Sequence, residues 1–169
     1  FDINDQREYT GYANKKYTPT SLPDGSSNTG GDNDFQISQD QDYFVIRYAD
    51  VLLMAAELGS SQAQNYFNLV RQRAYGSSFV ALPVNQTNIL QERRLEFAFE
   101  GIRYWDLLRQ GVERAAATIA QTQNVLSGSA PDQVVINAQQ IISTKGLMQI
   151  PNNQITLSNG VLTQNEGWY

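Results

Sequence analysis

The stretch ERRLEFAFEGIRYWDLLRQG, Glu92–Gly111, mixes carboxylates and arginines with Phe97, Phe99, Tyr104 and Trp105. An exposed amphipathic helix separates such groups onto opposite faces, and a plain core helix excludes the charges. On a helix, Glu92, Glu96 and Glu100 stand four apart and share a face, with Arg93 and Arg94 beside them and Arg103 three after Glu100. The helices expected before it add Arg47 and Glu57, then Arg71 and Arg73, with no lysine among them. A guanidinium fork grips a carboxylate through two hydrogen bonds and still packs on rings, which an ammonium cannot match. The reading is a network of partly buried ion pairs locking helices together: Arg47, Glu57, Arg71, Glu92, Arg93, Glu96, Glu100, Arg103 and Asp106. Removing one partner strands the other and costs roughly 3–5 kcal/mol.

A catalytic reading competes with it. Glu92, Glu96, Glu100 and Asp106 could supply the acid and base of glycoside hydrolysis. That chemistry needs a cleft and two pKa values pushed apart. Here each carboxylate has an arginine within three or four positions, which favours ionised, structural groups. No catalytic residue is assigned.

Composition narrows the classes. The 169 residues are most simply one domain, large enough for its own core. Hydrophobic residues make up 41% and charged residues 17%, with Asn, Gln, Ser and Thr filling the gap, as suits an extracellular surface. The net charge of −5 argues against nucleic acid and against docking on anionic lipid. Without Cys or His there are no disulfides, thiolates, imidazole bases or ordinary zinc ligands, and no cofactor is implied. No apolar run is long enough to span a bilayer. Phe1 opens directly into polar sequence, so the chain reads as a trimmed piece whose targeting signal lies upstream.

Residues 1–41 read as a loop-rich lead-in, residues 42–126 as a helical core and residues 127–169 as an extended C-terminal segment. The first helix is expected over Asp42–Leu58, apolar nearly all round and therefore central, with Gly59 closing it. Ser61 and Gln64 suggest a capping box for a second helix running to Tyr75. The resulting hairpin has tetratricopeptide size, and Ala63 and Phe67 match that repeat's A-x3-F element. A third helix is expected over Ile89–Glu100, capped by Thr87 or Asn88, and a fourth over Arg103–Gln110. Val112–Leu126 reads as a fifth. Val134–Ile136 and Ile141–Ile142 suit strands or extended segments, and LMQIP, Leu147–Pro151, ends a last extended stretch. The fold class is mainly α, with tetratricopeptide-like hairpins, long loops and a few short β segments near the C-terminus.

Three ordered motifs carry a family resemblance. ERRLEFAFEGIRYWDLLRQG resembles the ER-x-x-E-F/L-A-F-E-G-x-R-x-x-D-L-x-R-x-G element of the SusD/RagB family of outer-membrane nutrient-binding lipoproteins. YFVIRYADVLLMAAE, Tyr43–Glu57, resembles that family's RYADVLLMYAEA helix, and Asn68, Val70, Arg71 and Arg73 match its N-x-V-R-x-R element. LMQIPNNQI followed by LTQNEGW resembles its closing P-I-P-x-x-E-I and L-x-Q-N-x-G-Y, with departures at Gln149, Gln154 and Trp168. The resemblance implies the C-terminal part of a lipid-anchored protein on the outer membrane of Bacteroidetes. Such proteins lie over a SusC-like TonB-dependent transporter and capture glycans, or in some members peptides. They are not enzymes. It also implies that the lipidated Cys and most of the helical-repeat scaffold lie upstream.

Sugars are held by aromatic faces with amides and carboxylates nearby. Tyr9, Tyr12 and Tyr17, with Asn14 and Lys15, are the ligand candidates, followed by Tyr75, Phe79 and Trp168. Packing of Tyr12 and Tyr17 on the helices is the competing reading. Tyr104 and Trp105 are expected in the core. The acidic loop Asp24–Asp34 lacks EF-hand spacing, and no metal site is assigned. The leading function is glycan binding for import. The alternatives are a helical module that docks on the transporter or binds peptides, and a helical glycosidase fragment.

Overall fold

A computed structural model describes Asn14, Lys16, Ser21, Asp24–Ser26, residues 42–128 and residues 130–168. Tyr9, Tyr12, Lys15 and Tyr17 lie outside them. The fold is mainly helical. Backbone contacts gather into two units, one spanning Ala13–Arg103 and the other including Tyr104–Tyr169.

The first unit holds α1 (Tyr48–Glu57), α2 (Ala63–Tyr75), a 3-10 turn (Gly76–Ser78) and α3 (Gln86–Glu96). Its core joins Leu52, Leu53 and Ala56 of α1 to Phe67 and Val70 of α2, Ile89 of α3 and Phe97 beyond it. Leu53 and Phe67 are fully buried, each contributing about 1.5–3 kcal/mol by leaving water. Gly59, at φ +76°, turns the chain between α1 and α2.

Three sequence expectations shift here. The first helix starts at Tyr48 rather than Asp42, because Arg47 is extended (φ −117°, ψ 156°) while its guanidinium is tied to distant carboxylates. Nor is α1 buried all round: Tyr48, Val51, Met54 and Leu58 are exposed. No side chain caps α2. Gln64 instead turns to the irregular stretch before α3, where Nε2 donates to the Leu82 carbonyl (2.9 Å) and Oε1 accepts from the Val84 N–H (2.9 Å). Satisfying two backbone groups there outweighs a capping box. Third, α3 begins at Gln86, because Asn85 Oδ1 accepts from the Asn88 N–H at 2.9 Å and caps it. It also ends early, at Glu96, so Glu100 stands on the turn that follows, where Phe99 and Gly101 have positive φ.

Arg103 begins α4 (Arg103–Leu108), whose remaining residues fall in the second unit. That unit continues with α5 (Val112–Ile119), β1 (Gln121–Ser127), β2 (Ala130–Ile136), α6 (Ala138–Ser143) and α7 (Asn152–Leu157). The expected fifth helix stops at Ile119. The polar run beyond it pairs antiparallel with β2, from Gln121 opposite Ile136 to Ser127 opposite Ala130, and that ladder decides its state. Ile141 and Ile142 are helical rather than extended, since Asn137 Oδ1 accepts from the Gln139 N–H and starts α6, which packs on α5. With α7 also helical, the C-terminal segment is less extended than its sequence suggests.

The two closing motifs form one tied structure. Gln164 accepts from the Ile150 N–H (2.8 Å) and donates to its carbonyl (2.9 Å). Asn165 Nδ2 donates to the Met148 carbonyl (2.6 Å), and the Trp168 indole donates to that of Leu147 (2.9 Å). Gly167, at φ +83°, passes so close to Ser143 that a Cβ would sit 2.8 Å from its carbonyl oxygen.

Candidate functional site

Charged residues of the first unit converge where α1 begins and α3 ends. Arg47 forks onto Glu100, Nε to Oε2 at 3.0 Å and Nη2 to Oε1 at 2.7 Å. Its Nη1 donates to Glu96 Oε1 (2.8 Å) and its Nη2 also to the Glu96 carbonyl (3.1 Å). Lys16, arriving from the lead-in, pairs with Glu100 and donates to the Glu96 carbonyl at 2.9 Å. From α2, Arg73 meets both oxygens of Glu96 (2.6 and 2.5 Å) and Arg71 meets Glu92 Oε2 at 2.6 Å. From α3, Arg93 reaches Asp50 on α1 at 2.6 Å. Charge thus joins α3 both to α1 and to α2.

Rings occupy the gaps between the cations. Arg47 and Arg93 both approach Phe97, at 4.9 and 5.1 Å from its centroid. Arg71 packs on Phe67 and Tyr75, at 5.5 and 4.8 Å. Its Nε is buried without a hydrogen-bond partner, so the rings supply that part of its environment.

The electrostatics follow from this packing. Burial pushes the Glu100 carboxyl up, but hydrogen bonds and charge from Arg47 and Lys16 outweigh burial and hold it below its ordinary range. The hydrogen bond to Glu100 raises Arg47 above its ordinary value despite partial burial. An ionised Glu100 accepts hydrogen bonds and has no proton to donate near neutral pH. Glu92 and Glu96 are likewise each spoken for by an arginine. Together these contacts form a clamp that joins α1, α2 and α3.

A groove of about 400 Å³ opens beside the clamp, lined by Lys16, Arg73, Tyr75, Glu92 and Glu96 among others. Asn14 lies in the same lead-in, its Oδ1 accepting from the Lys16 N–H at 3.0 Å. Arg73 is the most exposed cation of the clamp.

The other singled-out residues fall elsewhere. Arg103 donates to the Leu90 carbonyl (3.2 Å), Glu57 is half-buried on α1, and Asp106 pairs with Arg109 within the second unit at 3.1 Å. Tyr104 is half-buried, its hydroxyl donating to the Gly146 carbonyl. Trp105 is 62% exposed, contrary to the expectation of a core residue. The six-residue α4 turns Asp106 and Leu107 inward and leaves Trp105 meeting Tyr104 edge to face. Sequence reading passed over Lys16 and Asp50. Asp50 stands three residues after Arg47, a visible signal, whereas nothing in the lead-in marks Lys16 as the reader of a carboxylate far along the chain.

The sequence profile of the SusD family matches residues 2–168. SusD-like protein P2 of Formosa agariphila is 39% identical over 83 residues, an alignment covering 40% of this chain and 16% of that protein. Among solved structures, this fold is similar to surface glycan-binding protein A from Bacteroides thetaiotaomicron in complex with laminarihexaose. The TM-score is 0.59 and the identity 31%, covering 79% of this chain and 27% of that one. The chain therefore spans well under a third of the length of either relative.

Proposed function

The chain belongs to the SusD family, and from that footing we propose that it is the C-terminal part of a cell-surface glycan-binding protein serving a TonB-dependent nutrient uptake system. The observation that carries this reading is the likeness in fold and sequence to a surface protein that binds a hexasaccharide. In this reading the full-length protein is lipid-anchored to the outer membrane and lies over a SusC-like transporter, to which it passes captured oligosaccharide.

We propose further that the protein binds without cleaving. The supporting geometry is the state of its carboxylates: Glu92, Glu96 and Glu100 each serve a guanidinium, and Glu100 is held in its ionised form. Glycan contacts are assigned to Tyr9, Tyr12, Asn14 and Tyr17, ring faces and an amide in the same lead-in that delivers Lys16 to the clamp.

Calorimetry of the full-length protein against a panel of oligosaccharides tests the reading. Saturable binding to at least one glycan, weakened by Tyr9→Ala, Tyr12→Ala or Tyr17→Ala, is expected. Binding to peptides and to no glycan overturns the ligand class.

A further inference from the structure

Asn159–Gly160 is the one Asn-Gly pair in the sequence. It forms the middle of the turn Ser158–Val161 that follows α7, where the Val161 N–H donates to the Ser158 carbonyl at 3.2 Å. Both central residues have positive φ, +53° for Asn159 and +84° for Gly160, as a type I′ turn requires. Asn159, Gly160 and Val161 are exposed. Among the described residues, the Asn159 carboxamide has no hydrogen-bond partner and the Gly160 N–H has no acceptor. A Cβ at Gly160 would meet nothing within 4 Å, so neither a side chain of its own nor a neighbour shields that backbone nitrogen. Other asparagines are tied down. Asn85 and Asn137 cap helices and Asn165 holds the Met148 carbonyl, and the residues after them are Gln86, Ala138 and Glu166.

We propose that Asn159 is a self-modifying site, converted slowly and without an enzyme to aspartate and isoaspartate through attack by the Gly160 nitrogen. That nitrogen gives its proton to water and bonds to Asn159 Cγ. The C–N bond of the carboxamide breaks, and its nitrogen leaves as ammonia carrying a proton returned by the solvent. Water then opens the resulting cyclic imide. Attack at the side-chain carbonyl gives aspartate, and attack at the main-chain carbonyl gives isoaspartate, whose backbone runs through Cβ. No oxidant or reductant enters. Ring closure needs Asn159 to swing out of the turn, and one exposed backbone hydrogen bond resists that, so local opening is the gate. Either product is ionised near neutral pH and adds one negative charge to the −5 of the unmodified chain. Isoaspartate also lengthens the main chain inside the turn. The Val161 N–H then loses the Ser158 carbonyl, and the Leu162 N–H loses Ser158 Oγ, now 2.9 Å away. The pairing of Gln164 with Ile150 lies beyond the turn and is retained.

The test is made in the full-length protein, incubated folded at neutral and mildly alkaline pH and sampled over weeks. Peptide mass spectrometry reads the exchange of ammonia for water at each asparagine, and a chemical assay for isoaspartate identifies the product. Asn159 is expected to convert at least about tenfold faster than Asn85, Asn137 or Asn165, whose tied carboxamides open less often. The rate should rise with pH, isoaspartate should be among the products, and Gly160→Ala should slow the conversion. If that variant fails to fold, the wild-type products and their pH dependence still decide. In the aged protein, hydrogen exchange should quicken at Val161 and Leu162 and stay unchanged at Ile150. An Asn159 that stays intact while the tied asparagines convert overturns the proposal. Conversion to aspartate alone also overturns it, since water then attacks the carboxamide directly and the Gly160 nitrogen takes no part.

Discussion

Arg47 closes a two-toothed fork on Glu100 across 53 residues of chain, with hydrogen bonds of 3.0 and 2.7 Å. The same guanidinium also holds Glu96, so one cation organises a buried carboxylate, Glu100, and a half-buried residue, Glu96. This contact fixes the beginning of α1 against the turn that follows α3. Arg47→Ala is expected to destabilise the protein by about 3–5 kcal/mol, because two carboxylates are left under-paired. Lys145 and Glu166 form an ion pair in which both side chains are about two-thirds exposed. Lys145→Ala should therefore change stability by less than about 0.5 kcal/mol. Urea unfolding of both variants measures the contrast.

Acid should open the clamp. The Glu100 carboxyl is held below its ordinary value of 4.5 in the folded chain, so the folded state binds its proton less readily than the unfolded state does. Its contribution to stability is fully present above that ordinary value and is lost as pH falls through the lower folded value. Glu100→Gln removes this dependence. Chemical denaturation at pH 7 and at steps below pH 4.5 should show the wild type losing more stability than the variant over the acid range.

Arg71 should not tolerate lysine. Its fork spans Glu92 (2.6 Å) and the Val80 carbonyl (3.2 Å) while its flat face lies near Phe67 and Tyr75. A lysine keeps the charge but loses the second hydrogen bond and the stacking. Arg71→Lys is expected to cost about 1–3 kcal/mol, read as a lower urea midpoint with an unchanged slope.

The carboxamide of Gln164 acts on Ile150 as a neighbouring strand would, pairing its N–H and its carbonyl together. Gln164→Leu leaves both groups without that partner and should cost about 1–3 kcal/mol. The loss should be local, with faster hydrogen exchange at Ile150 and earlier proteolysis near Pro151 than in the wild type.

Much of the first unit could be read from residue types. The mixture of arginines, carboxylates and rings in Glu92–Gly111 pointed to ion pairs between helices, and Gly59 marked the hairpin turn. The pairing itself was not legible. Helical spacing set Glu96 and Glu100 on one helix face, whereas α3 ends at Glu96 and both residues meet because Arg47 reaches them from outside. Partners so far apart leave no local signal. The strand β1 was hidden for a related reason: QTQNVLS has no apolar alternation, and only its ladder with β2 makes it a strand. The assigned tyrosines rest on residue type alone, since loop aromatics look the same in sequence whether they hold a sugar or cover a helix.

The most direct test of the central claim is to incubate the full-length protein with a glycan it binds, measure the heat of binding, and then recover the saccharide and determine its length. The account predicts saturable binding and an oligosaccharide recovered intact. A shortened product, with turnover lost in Glu92→Gln, Glu96→Gln or Glu100→Gln while melting is unchanged, would contradict it.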